Sequence, residues 1–236
     1  MTVQDDERER ELVRLFNLDW DPSHQRSGID ALLQVSVNGA DREIEIEVKS
    51  TTTDTVSTAR DVGMSHVMRW RSKLFVIGFY SRHERRPELQ RCLCLTPLDM
   101  AEWIDSIAGK VELDFKIAQR SRTALRLADL YAVCGRRDVY EIQQARDVLR
   151  QQWTAAQYAA AGDRLGPDGQ PAFSAPAMLD VLRARAAYIA ERGATLNNPH
   201  ITRRHLDKFV GTDREVFSDW AARIRAIARQ WLTDQR

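Results

Sequence analysis

The spacing of apolar positions changes several times along the chain, and each change predicts an element. Residues 5–17, "DDERERELVRLFN", put Leu12, Leu15 and Phe16 on one side of an amphipathic helix. Residues 19–27 read as a loop and 28–37, "GIDALLQVSV", as a strand. The next four, Asn38 to Asp41, read as a turn, since Asn-Gly is a strong hairpin signal. The return strand, 42–50, alternates Ile44, Ile46 and Val48 with Glu43, Glu45, Glu47 and Lys49. A Thr/Ser/Asp-rich loop covers 51–58. Residues 59–72 carry Val62, His66, Val67 and Trp70 at helical spacing. "LFVIGFY" (74–80) and "RCLCL" (91–95) read as buried strands, and Pro97 opens a helix over 97–108. "VELDFKI" (111–117) alternates and reads as a strand. Beyond it, 122–133, 138–160, 175–192, 202–210 and 213–233 have helical patterns. The stretch 162–176, with its glycines and prolines, reads as a long loop or hinge. The predicted class is α/β (α+β): a mixed sheet flanked by helices over 1–120, and a helical region over 121–236, packed together as one compact unit.

Composition narrows the class. The chain has 236 residues, 43% hydrophobic and 29% charged, which fits a globular protein and excludes a disordered one. No apolar run approaches the roughly 18 residues of a membrane span. The acidic start, "MTVQDDERER", is unlike a secretory leader, so no membrane partner and a cytoplasmic location are expected. Cys92, Cys94 and Cys134 form no disulfide or zinc pattern.

A net charge of +1 gives no global nucleic-acid footprint, but its distribution is uneven. Residues 56–91 carry eight bases against three acids, and 202–236 eight against five. Of 35 cationic residues only five are lysine: Lys49, Lys73, Lys110, Lys116 and Lys208.

The hairpin carries the candidate chemistry. With a turn over 38–41, Val37 faces Arg42, so Asp30 faces Lys49 and Glu47 faces Leu32. Asp30 and Glu47 then form a diagonal pair about 7–8 Å apart at the backbone, on one face with Lys49. Two carboxylates this close repel unless a cation lies between them. Mg²⁺, with Mn²⁺ as substitute, suits oxygen ligands. Such an ion can stabilise charge on a phosphate and acidify a bound water, while a lysine beside it orients or deprotonates that water. The competing reading of the same residues is the wet face of an ordinary half-buried strand.

"GID", a hairpin and then "EVK" resemble the motif of the PD-(D/E)XK nuclease superfamily, and of the type II restriction endonucleases within it. The first aspartate of that motif matches Asp30, the acidic member Glu47 and the lysine Lys49; Ile29 stands where the family has proline. The order helix, hairpin, helix, strand extends the likeness to about residue 80. The resemblance implies a restriction-endonuclease-like core and Mg²⁺-dependent, sequence-specific cleavage of double-stranded DNA. It makes Asp30, Glu47 and Lys49 catalytic. Asp30, Glu47 and the Val48 carbonyl would be metal ligands, with Glu11 of the first helix a candidate further ligand. It also implies a homodimer and a cognate DNA methyltransferase. The same core could serve repair or the cutting of modified or branched DNA. A third alternative is a non-catalytic DNA-binding protein with a vestigial site.

Two stretches are candidates for DNA contact. Arg60, His66, Arg69, Arg71 and Lys73 follow the catalytic strand directly and could meet phosphates. In "TLNNPHITRRHLDKF" (195–209), Asn197 and Asn198 have the amide chemistry that reads adenine, and Arg203 and Arg204 suit guanine or phosphate. His200 and His205 are expected at the surface or facing DNA, and Thr202 is expected to cap the next helix. The stripe Val216, Trp220, Ile224, Ile227 and Trp231 fits either a core or a dimer seam.

Overall fold

The computed structural model describes residues 3–20, 30–82 and 87–234. Of the expected loop over 19–27, residues 21–27 lie outside them, as do 28–29 of the expected strand, Ile29 included, while 19–20 form a short strand. The chain forms two compact units, 1–110 with 196–236, and 111–195.

The first unit begins with α1 (Val3–Leu15), whose Leu12 and Val13, with Phe16 just beyond, are buried. A short β1 (Asp19–Trp20) precedes the hairpin of β2 (Ala31–Val37) and β3 (Ala40–Thr51). The turn between them is Asn38-Gly39 alone, with φ of 53° and 78°. Both residues are left-handed, the geometry that suits the twist of paired strands. The expected four-residue turn is therefore too long. Val37 pairs with Ala40, not Arg42, and Leu32 pairs with Glu45, not Glu47. The faces survive because the slip is an even number of residues: Ile44, Ile46 and Val48 are buried as expected.

After β4 (Val56–Ser57) the helix α2 spans only Met64–Trp70. The expected helix over 59–72 is cut short because Asp61 takes φ 55° and Val62 pairs in a bridge with Leu196. β5 (Leu74–Tyr80) is buried throughout and parallel to β3, and β6 (Leu89–Leu95) follows antiparallel. The helix after Pro97 starts in a turn where Thr96 and Asp99 cap each other, and runs as α3 (Ala101–Ala124). "VELDFKI" is thus helical, not a strand. Ile104, Ile107, Val111 and Ala118 are buried at helical spacing, while Leu113 and Ile117 are mostly exposed. The alternation was a coincidence of the 3.6-residue period.

The second unit holds α4 (Leu127–Cys134), β7 (Val139–Glu141), α5 (Ile142–Leu149), α6 (Ala155–Ala161), β8 (Arg164–Leu165), β9 (Pro171–Ser174) and α7 (Ala175–Gly193). Left-handed Arg150 and Gln151 divide the expected helix over 138–160, and Thr154 caps the restart. The expected loop over 162–176 is a hairpin, β8 with β9, turning at left-handed Gly169. With β7 they form a three-stranded sheet. Tyr140, Tyr158, Phe173 and Met178 centre this unit's own core.

The chain then returns to the first unit through β10 (His200–Ile201), α8 (Arg203–Leu206), a 3₁₀ turn over Asp207–Phe209, β11 (Glu215–Val216) and α9 (Trp220–Asp234). The expected boundary at 120 thus moves to 110, and 196–236 leaves the expected helical region. Two contacts draw it back: β11 extends the main sheet along β6, and α9 packs on β2. Val216 belongs to β11, not to the helix expected over 213–233. Ile224, Ile227, Ala228 and Trp231 are buried among Leu12, Phe16, Leu33 and Val35. That stripe is core, so it is no dimer seam.

The main sheet has the order β1-β2-β3-β5-β6-β11, with β3–β5 its one parallel pair. The fold is mixed α/β, a mixed sheet flanked by helices. One sheet face carries α1 and α9. The other carries Glu45, Glu47 and Lys49 beside Phe75 and Ile77, by the pairing of β3 with β5. Among the described residues no helix is long and apolar enough to cross a membrane.

Gly39→Val is expected to destabilise the protein by about 1–2 kcal/mol, the cost of a left-handed branched residue, measured by urea denaturation. His205 is buried with no partner for Nε2 among the described residues. Burial, and then Lys208, push its pKa below the ordinary value. The unfolded chain therefore takes up that proton more readily, so the stabilising contribution is present above about pH 6.5 and lost as pH falls. The thermal midpoint should drop on acidification, and drop less in His205→Phe.

Candidate active site

The two-residue turn brings three ionisable residues together beyond the last ladder pair, Ala31 with Ile46. One further step in that register sets Asp30 opposite Glu47, rather than opposite Lys49 as the longer turn predicted. Asp30 Oδ2 accepts hydrogen bonds from the Val48 N–H at 3.0 Å and from Lys49 Nζ at 2.9 Å. Lys49 Nζ also lies 3.1 Å from Glu47 Oε1. All three side chains are nearly buried, between 10% and 14% exposed. The diagonal carboxylate pair of the longer turn is thus a facing pair with the ammonium between.

Burial opposes the charge on Lys49. The Asp30, Glu47 and Glu9 carboxylates outweigh it and hold its pKa well above the ordinary value. Glu9 is the first-helix acid that acts on this lysine. Glu11 is engaged elsewhere: its Oε2 accepts from the Tyr80 hydroxyl at 3.0 Å. Burial and that carboxylate push the Tyr80 pKa up. Glu9 escaped the sequence reading because only the helix phase distinguishes the two acids.

A second lysine joins the site. Lys73 Nζ lies 3.2 Å from Glu45 Oε2 and 3.6 Å from Glu47 Oε2, and the side chain is 3% exposed. Its place in sequence suggests a DNA-facing cation. The signal that could have found this pair is the parallel register. Ile46 pairs with Leu74, so one step back sets Glu45 beside Lys73.

The donor set suits a hard divalent cation: two carboxylates face each other across an ammonium that already occupies the position of positive charge. The N–H and C=O of a strand residue point to the same side, so the Val48 carbonyl emerges on the Asp30 side. Among the described residues no cluster of three or more His, Cys, Asp and Glu side chains is arranged as a metal site. Asp30 and Glu47 are the residues here that could hold an ion together.

The expected DNA-contact residues divide. Arg60, Arg69 and Arg204 are exposed. Arg71 is bound to Asp105 at 2.7 Å. His66 is half-buried beside Trp70, with Nδ1 unpartnered among the described residues. Burial and Arg69 lower its pKa against the opposing pull of Glu47. Trp70 is core, 4.9 Å from Trp103. Asn197 is exposed, and Asn198 takes φ 52° in a turn. Thr202 caps α8 as expected. His200 is exposed and pairs with Ser57, whereas His205 is buried against Phe209, not at the surface. Its imidazole faces inward because α8 packs its Leu206 side into the core.

The β4–β10 pairing brings both stretches to one place, reinforced by Thr58 bonding the Pro199 carbonyl at 2.6 Å and Arg203 bonding Asp54 at 3.0 Å. A polar cleft of about 880 Å³ opens there, lined by Thr52, Asp54, Phe79, Arg82, Arg91 and Arg203. Phe79, one of its lining residues, pairs with Thr51, two residues beyond Lys49 on β3. Comparison with known proteins finds no family pattern that matches the chain and no curated protein that does.

Lys49→Met removes the cation between the carboxylates and should cost about 3 kcal/mol of stability. Adding Asp30→Asn to that variant should recover a substantial part, in a chemical-denaturation cycle. Additive losses from the two changes would count against the pairing.

Proposed function

We propose that the chain is a Mg²⁺-dependent double-strand DNA endonuclease with a restriction-endonuclease-like core, and that it acts as a type II restriction enzyme. One observation carries the reading. Asp30 and Glu47 converge on Lys49 at the end of a hairpin, in a chain ordered helix, hairpin, helix, strand. Asp30 and Glu47, with the Val48 carbonyl, would hold the metal. When bound, Mg²⁺ or Mn²⁺ withdraws charge from the scissile phosphate and acidifies an attacking water. Lys49 would supply a cation to the phosphate and could orient an attacking water. Arg60, Arg69, His200 and Arg204 border the path of the duplex. Cutting both strands requires two such sites, hence a homodimer, built from surfaces other than the buried stripe of α9. A cognate methyltransferase belongs to the same proposal, as protection of host DNA.

Digestion of a sequenced phage genome in Mg²⁺, followed by end mapping, tests this. Wild type should give ends at one short sequence, and Glu47→Ala or Lys49→Ala should lose at least about a hundredfold in rate. Scattered ends would move the protein to a repair or structure-dependent nuclease. No cleavage by wild type, or equal cleavage by Glu47→Ala, would overturn the reading.

A further inference from the structure

Lys73 is the most deeply buried charged side chain at the site, at 3% exposed, and the mechanism above does not use it. Its position is fixed from both directions. It stands between α2 and β5, its N–H reaching the Trp70 carbonyl at 3.4 Å, and Trp70 is anchored in the core against Trp103. The parallel pairing of β3 with β5 then delivers its ammonium to the polar face of β3.

There it completes an alternating row of charges, Asp30, Lys49, Glu47, Lys73, Glu45. Glu47 is gripped at both oxygens: Oε1 by Lys49 at 3.1 Å, and Oε2 toward Lys73 at 3.6 Å. Without Lys73, Glu45 and Glu47 would be like-charged neighbours on one strand face, with nothing to divide them. Stability is a poor reason for such an arrangement, since burying an ion pair costs about as much as the pair returns. Contact with substrate is no better a reason, because the side chain is almost wholly buried and its ammonium already faces Glu45 and Glu47.

We propose that Lys73 is a positioning residue for Glu47. It holds Oε2 away from Asp30, so that Oε1 stays turned toward the place where the metal binds. The consequence for metal rests on the reading given under Proposed function; the grip on Glu47 does not.

The test titrates Mn²⁺ alone, without nucleic acid, into the full-length protein and its variants, with free Mn²⁺ read by electron paramagnetic resonance. Lys73→Met should weaken Mn²⁺ binding about tenfold or more, as loss of a group that orients a ligand does. Lys73→Arg, which keeps the charge, should recover part of it. Glu45→Gln, at a half-exposed position that does not threaten folding, should stay within about twofold of wild type, since Glu45 is not a ligand. In cleavage assays Lys73→Met should lower kcat and leave KM for DNA unchanged. A Lys73→Met protein with native circular dichroism and wild-type Mn²⁺ affinity would overturn the proposal. So would a tenfold loss in Glu45→Gln, which would make Glu45 the ligand that Lys73 serves. If the Mn²⁺ differences hold but wild type cuts no DNA, the nuclease reading fails and the role of Lys73 stands.

Discussion

The Lys49 ammonium lies 2.9 Å from Asp30 and 3.1 Å from Glu47, on a face of the sheet where all three are nearly buried. Taking these charges out of water is expensive, and only close mutual pairing offsets it. The pairing in turn depends on backbone placement. Asp30 sits one residue before β2, and its Oδ2 also accepts the Val48 N–H, which ties it to β3 after the ladder has ended. The left-handed Asn38-Gly39 turn sets this register. A turn two residues longer would carry Asp30 past Glu47 to Lys49, and the carboxylates would no longer face each other.

Around this contact the fold is arranged in layers. α1 and α9 close the apolar face of β2 and β3, so Ile44, Ile46 and Val48 hold the strand while Glu47 and Lys49 project from its other side. α2, held by Trp70 on Trp103, brings Lys73 to the same polar face. The return of 196–236 adds β11 to the sheet edge and β10 to β4, next to the loop after β3. The site therefore belongs entirely to the first unit, while 111–195 has a separate core.

Much of the site was legible because it lies within one hairpin. Period-two alternation identifies which residues of β3 share a face, and that inference tolerates an error of two residues in register. The facing of Asp30 and Glu47 was not legible, because turn length depends on whether Ala40 and Asp41 join the ladder. The pairing of Lys73 with Glu45 and the action of Glu9 on Lys49 were not legible for a different reason. They depend on a parallel pairing and on a helix phase, neither of which adjacent residues encode. The same limit explains "VELDFKI", where local alternation coincided with the buried face of a long helix. It also explains 162–176, where glycines and prolines marked the bends of a hairpin rather than a loop. The end of the chain was read by its helical stripe, but only tertiary contact shows that Val216 leaves that stripe to pair with Cys92.

On the proposed function, the Asp30–Glu47 pair would take a divalent cation in exchange for the Lys49 ammonium. Crystals soaked in Mn²⁺, with data collected for anomalous scattering, test it directly. A single strong peak is expected between the Asp30 and Glu47 carboxylates, beside the Val48 carbonyl, with Lys49 moved away from its bridging position. Absence of a peak there at saturating Mn²⁺, with Lys49 still bridging the two carboxylates, would contradict it.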